Sequence, residues 1–206
     1  MLAARSAQAL EFSSVTPSRD ANGQLWITVR MEDPLEERIE RSLGRGMPAR
    51  LQLHAELWRR RSGWLDRMEH AADATMRLHH DVWTDAWQLE RSGAPMLAFD
   101  SLDSLEAALS RPIALPVAML DRVPPNAPCY VVVSAIVKPL NVEDAEEVEG
   151  WLSGEAKEQK QAGFGVFMQL PRSIFDAVRN FAGLGDSRTR SITPDFVPSA
   201  LPPTPK

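Results

Sequence analysis

Arg50-Leu51-Gln52-Leu53-His54-Ala55-Glu56-Leu57-Trp58 alternates with a period of two, placing Leu51, Leu53, Ala55 and Leu57 on one side. Successive side chains of a strand point to opposite faces, so this spacing predicts a strand with that side in a core. Trp58 then faces outward or toward a second layer. Arg59-Arg60-Arg61-Ser62-Gly63-Trp64 reads as the turn that follows. Gln24 to Met31 repeats the pattern, with Leu25, Ile27, Val29 and Met31 on one face and Trp26, Thr28 and Arg30 on the other. Cys129 to Val137 is different: its apolar run is broken only by Ser134, which predicts a central strand.

Between these anchors the signals are shorter. Ala72, Ala74, Met76 and Leu78 continue an alternation, although the Ala-rich stretch from Glu69 to Leu78 also fits a helix. Around His80-Asp81 the phase changes, and Trp83, Asp85, Trp87 and Leu89 share the next face, as a turn or bulge would produce. Ser92-Gly93-Ala94-Pro95 reads as a turn before a short strand from Met96 to Phe99. Pro112, Pro116, Pro124, Pro125 and Pro128 hold the later stretch to extended or irregular structure.

Helix signals punctuate the strands. Asp33 is placed as an N-cap with Pro34 at the first helical position and Glu36 and Glu37 at the positive end of the dipole. Leu35, Ile39 and Leu43 form its apolar stripe, and Gly44 or Gly46 ends it. Ser101 caps a short helix through Leu109. Further on, Asn141 caps an acidic helix from Val142 to about Leu152, and Pro171 opens an amphipathic helix stopped by Gly183 and Gly185.

The predicted fold class is α+β, mainly β: an antiparallel β-sandwich-like core with short inserted helices and C-terminal helices. An immunoglobulin-like sandwich is one solution to the pattern. Four segments follow: a signal-peptide remnant or flexible tail at 1–10, a β-rich core at 11–140, a helical extension at 141–185 and a Pro-rich flexible tail at 186–206.

Composition sets the outer limits. The chain has 206 residues, 44% hydrophobic and 25% charged, enough to bury a core without metals or disulfides. A net charge of −5 argues against nucleic acid as a partner, and no apolar run reaches membrane-spanning length. Cys129 is the single cysteine, excluding an internal disulfide, and its apolar setting marks it as a buried small hydrophobe. Ala7-Gln8-Ala9 has the small-x-small spacing of a signal-peptidase site. It reads either as the tail of a leader or as a small-residue N-terminus; the first is favoured and places the protein in the periplasm or another extracytoplasmic compartment.

Chemistry-bearing patterns are sparse. His79, His80, Asp81 and Asp85 form the best metal-like cluster, but adjacent histidines on a strand point apart, and His54 or His70 would have to join from other strands. There is no nucleophile elbow and no phosphate loop, and Glu143, Asp144, Glu146, Glu147 and Glu149 read as a solvated helix face. No catalytic residue, metal site or cofactor is assigned. Aromatic and basic residues are more suggestive, because Trp and Arg are enriched where proteins bind proteins. Trp58, Arg59, Arg60, Arg61 and Trp64 form one candidate partner-binding set, and Ile174, Phe175, Val178 and Phe181 on the last amphipathic helix form another.

His80-Asp81-Val82-Trp83-Thr84-Asp85-Ala86-Trp87-Gln88-Leu89 resembles a motif of a bacterial envelope family, the domain of unknown function numbered 4390. The family pattern there is aromatic-polar-x-Leu-Thr-x-x-Tyr-x-Val, with Trp83 standing for its Leu and Trp87 for its Tyr. The same order holds around it: an Arg- and Trp-rich strand at Leu57–Leu65, a Phe-x-x-Leu-x-x-Ala-Leu helix from Phe99 to Leu109, and a Tyr-x-Val-x-Val strand from Tyr130 to Leu140. The resemblance spans residues 10 to 153. It implies export and carries no assigned chemistry.

Three functional expectations follow. The first is a non-catalytic extracytoplasmic accessory module, peripheral to the membrane and contacting a membrane complex or receptor. The others are a metal-assisted hydrolase using His79, His80, Asp81 and Asp85, and a carrier of a small apolar ligand between the sheets.

Overall fold

The computed structural model describes residues 10–139 and 187–204. Strands β1 (Glu11–Arg19), β2 (Gln24–Glu32) and β7 (Ile113–Met119) form a three-stranded sheet in the order β1-β2-β7. The second sheet has six strands in the order β6-β5-β4-β3-β8-β9, built from β3 (Ala49–Arg59), β4 (Arg67–Asp81), β5 (Ala86–Arg91), β6 (Leu97–Phe99), β8 (Cys129–Pro139) and β9 (Ser187–Ile192). Every strand pairing is antiparallel.

The two sheets face one another over a single core, the sandwich-like arrangement that the alternation requires. Leu25, Ile27, Val29 and Met31 of β2 meet Leu51, Leu53, Ala55 and Leu57 of β3 and Val131, Val133, Ala135 and Val137 of β8 in one buried cluster. β8 lies between β3 and β9, and Tyr130 and Val132 on its other face are buried as well. Residues 67 to 81 are a strand throughout, so the helical alternative for Glu69 to Leu78 does not hold. Pro116 is tolerated within β7 because β7 is the edge of its sheet, where one side of the strand needs no partner.

Helix α1 (Glu37–Gly44) begins later than the Asp33-Pro34 signal predicts. Asp33 sits at φ 43, a left-handed position that turns the chain out of β2. The residues after it complete the corner, and the first helical bonds run from the N–H groups of Ile39 (2.7 Å) and Glu40 (3.0 Å) to the Glu36 carbonyl. Leu35, Ile39 and Leu43 are buried in the common core, as their spacing predicts, and Gly46 at φ 79 ends the helix. Helix α2 (Leu102–Leu109) is capped by Ser101, whose hydroxyl oxygen accepts the Ser104 N–H at 3.2 Å.

The expected face of Trp83, Asp85, Trp87 and Leu89 is corrected. Residues 82–85 form the turn between β4 and β5, and only Trp87 and Leu89 reach the core. The Asp81 carboxylate accepts the N–H groups of Trp83 (2.9 Å) and Thr84 (3.4 Å), which fixes the turn and leaves Trp83 94% exposed.

The Pro-rich tail expected at 186–206 is also corrected. β9 adds to the β8 edge from Val132↔Ile192 to Val137↔Ser187, and Thr193 and Pro198 are buried. Ser, Thr and Pro content marks disorder where a segment has nothing to pair with; here an apolar strand edge supplies backbone partners. The helices expected over 142–152 and 171–181, with Ile174, Phe175, Val178 and Phe181, lie outside the described residues.

Candidate functional site

The inward alternation of β3 leaves His54, Glu56 and Trp58 on the opposite face of the six-stranded sheet. A bulge between Leu57 and Trp58 marks the approach to the hairpin end joining β3 to β4. There the Trp58 indole N–H donates to Glu56 Oε2 at 2.8 Å, and its ring lies parallel to that of Tyr130, with centroids 6.5 Å apart. The Tyr130 hydroxyl donates to Asp66 Oδ2 at 2.9 Å. The Arg60 guanidinium sits 4.7 Å from the Tyr130 ring centre and pairs with Asp195 at 2.5 Å and Asp66 at 3.4 Å. Arg59 pairs with Glu69 at 2.5 Å, and Glu69 also meets Arg67 at 3.6 Å.

These contacts divide the arginine run into two kinds. Arg59 and Arg60 are committed to carboxylates of the same chain and buttress the hairpin, while Trp58 is half-buried beneath them. Arg61 projects with Trp64, its guanidinium 5.9 Å from the indole ring. Trp64 is 76% exposed and its neighbour Leu65 is 85% exposed. The braced hairpin end therefore presents Arg61, Trp64 and Leu65 to solvent.

Leu65 was legible in principle, because it follows Trp64 in the same turn. Asp66, Tyr130 and Asp195 were not, since their roles depend on strands far apart in sequence. A cleft of about 280 Å³ opens at the same end of the sandwich, lined by Leu57, Arg67, Glu69, His70, Ala118, Met119, Arg122 and Val123. Its lining mixes the charged side chains of Arg67, Glu69 and Arg122 with apolar Leu57, Ala118, Met119 and Val123.

The histidine–aspartate cluster does not converge. His80 Nε2 lies 2.9 Å from Asp85 Oδ1 and its ring stacks on Trp87 at 4.1 Å, but Asp81 is turned to the backbone of the β4–β5 turn. His79 alternates to the other face of β4 and pairs across to Gln88. Among the described residues no group of three His, Cys, Asp or Glu side chains is placed to hold a metal ion. Two histidines are hydrogen-bonded to carboxylates: His80 to one, and His54 to two. His54 Nδ1 lies 2.7 Å from Asp73 Oδ1 and its Nε2 lies 3.2 Å from Glu56 Oε1. Burial alone would lower the imidazole's pKa, but the hydrogen bonds to Asp73 and Glu56 outweigh it and push it up to about 9. Both ring nitrogens are thus engaged by carboxylates, an arrangement that holds an imidazolium and leaves no nitrogen free as a base.

Two antiparallel sheets packed over one core define a mainly β domain. The chain belongs to the family described as a domain of unknown function, DUF4390, whose model matches residues 7–139. No curated protein and no solved structure matches the chain.

Proposed function

We propose that this protein is a non-catalytic binding or accessory module that works outside the cytoplasm, peripheral to a membrane, and contacts a membrane-associated protein or complex. The observation that supports this reading is the exposure of Trp64 and Leu65 on a hairpin end that ion pairs and an aromatic stack hold in place. A large apolar side chain left in water on a rigid support loses little conformational entropy when a partner covers it, the property of binding hot spots. Arg61 beside Trp64 adds a cation to that surface. The Ala7-Gln8-Ala9 spacing supports the extracytoplasmic location. Among the described residues no helix is long and apolar enough to cross a membrane, which fits a peripheral role.

The test places a photo-crosslinking amino acid at position 64 or, as a control, at the exposed position of Asp121, in cells producing the full chain. The expected result is a discrete adduct with a membrane protein from position 64 alone, weakened by Leu65→Ser. Equal labelling from both positions, or none from position 64, overturns the reading. Fractionation of the same cells tests the compartment independently.

A further inference from the structure

Residues 187–204 lie beyond the stretch matched by the family model, yet they bond to both sheets. After the six paired positions of β9, the Thr193 N–H donates to the Val131 carbonyl at 2.9 Å, and the Thr193 hydroxyl oxygen accepts the Val131 N–H at 2.9 Å. Cys129 and Phe196 exchange a reciprocal pair of backbone bonds, at 2.7 and 2.8 Å. Between them Asp195 takes the Arg60 guanidinium at 2.5 Å. The chain then crosses to the other sheet, where the Arg19 N–H donates to the Pro202 carbonyl at 2.9 Å and the Thr204 N–H donates to the Arg19 carbonyl at 3.0 Å. Phe196 and Leu201 pack against the core on the way.

This is the chemistry of peptide recognition by strand addition: backbone bonds supply affinity, and a few side-chain contacts supply selectivity. We propose that the β8 edge, Arg60 and the outer edge of β1 form a peptide-binding groove, and that residues 187–204 are its ligand, seated in cis. Three contacts set the preference. An acid at the position of Asp195 meets Arg60, an aromatic ring at the position of Phe196 packs against the core, and a hydroxyl at the position of Thr193 receives the Val131 N–H. The groove therefore takes extended peptides of the pattern Thr-Pro-Asp-Phe. Ser187, the first described residue of the segment, pairs with Val137 on β8. Because residues 187–204 belong to the same chain, their binding is intramolecular. An outside peptide competes poorly until the covalent link is cut.

The inference goes beyond the docking role of the hairpin end, and its test does not depend on it. A protease site inserted at position 163 of the full chain allows the connection to be cut in the folded protein. The expected result is that the two pieces co-elute in size exclusion and that a fluorescent peptide of residues 187–204 displaces the C-terminal piece saturably. Peptides carrying Asp195→Ala or Phe196→Ala should bind at least tenfold more weakly. If the nicked protein holds together but never exchanges with the peptide, the segment is an integral strand and the proposal fails. It fails equally if the piece dissociates and the remainder stays a folded monomer that takes up no peptide.

Discussion

The imidazole of His54 and the carboxylate of Asp73, directly opposite one another on β3 and β4, lie 2.7 Å apart. With Glu56 on the second ring nitrogen, the pair raises the His54 pKa from 6.5 to about 9. A histidine whose folded pKa exceeds its unfolded value stabilises the protein fully below about pH 6.5, and that stabilisation disappears as pH rises through about 9. Asp73 is 66% exposed on its side chain, so solvent screening reduces the contribution to on the order of 2 kcal/mol. Urea unfolding of the wild type should show stability falling between pH 6.5 and 9.5, with a flatter profile for His54→Gln. An equal slope in both proteins would remove His54 from the pH dependence.

Leu53 and Leu65 make opposite predictions from the same residue type. Leu53 is fully buried in the inner strand β3, so Leu53→Ala should cost about 2–5 kcal/mol in transfer and cavity terms. Leu65→Ser at the exposed hairpin end should shift stability by no more than about 0.5 kcal/mol. Thermal or chemical denaturation measures both.

Gly46 combines a left-handed backbone with a close neighbour. At φ 79 an L side chain is strained, and a Cβ would stand 3.3 Å from Val82 Cγ1. Gly46→Ala should therefore cost about 1–2 kcal/mol. Adding Val82→Ala, which relieves the contact but not the φ strain, should recover only part of that loss in a double-mutant cycle.

Cys129 is buried, and desolvation pushes its thiol up to about 11. The native protein should resist aromatic disulfide reagents at pH 8, and one thiol should titrate once denaturant is added. Rapid labelling of the native state would show that the β8 edge opens.

Much of the fold was legible because its signal is local. The period of two in β2 and β3 identified the buried faces residue by residue, and Ser101 identified the start of α2. Trp83 misled because an alternating spacing of aromatics does not distinguish a strand from a turn that Asp81 closes with its own side chain. Asp33 misled in a related way: it has the chemistry of a helix cap, but the corner out of β2 uses it at positive φ instead. At the candidate site, Trp64 and Arg61 were singled out by residue type, and the structure places them together at the exposed hairpin end. The commitment of Arg59 to Glu69 and of Arg60 to Asp195 was not legible, because the first pair joins two strands and the second joins residues 135 positions apart.

The sequence by itself determined the mainly β class, the inward faces of β2 and β3 and the exclusion of a disulfide within these residues, since these depend on side-chain type and on spacings of two residues. Tertiary structure alone decided the strand order, the burial of His54 between two carboxylates and the capture of residues 187–204 along the β8 edge. Backbone groups on a strand edge are chemically identical from one residue to the next, so local pattern carries no record of which distant segment will satisfy them.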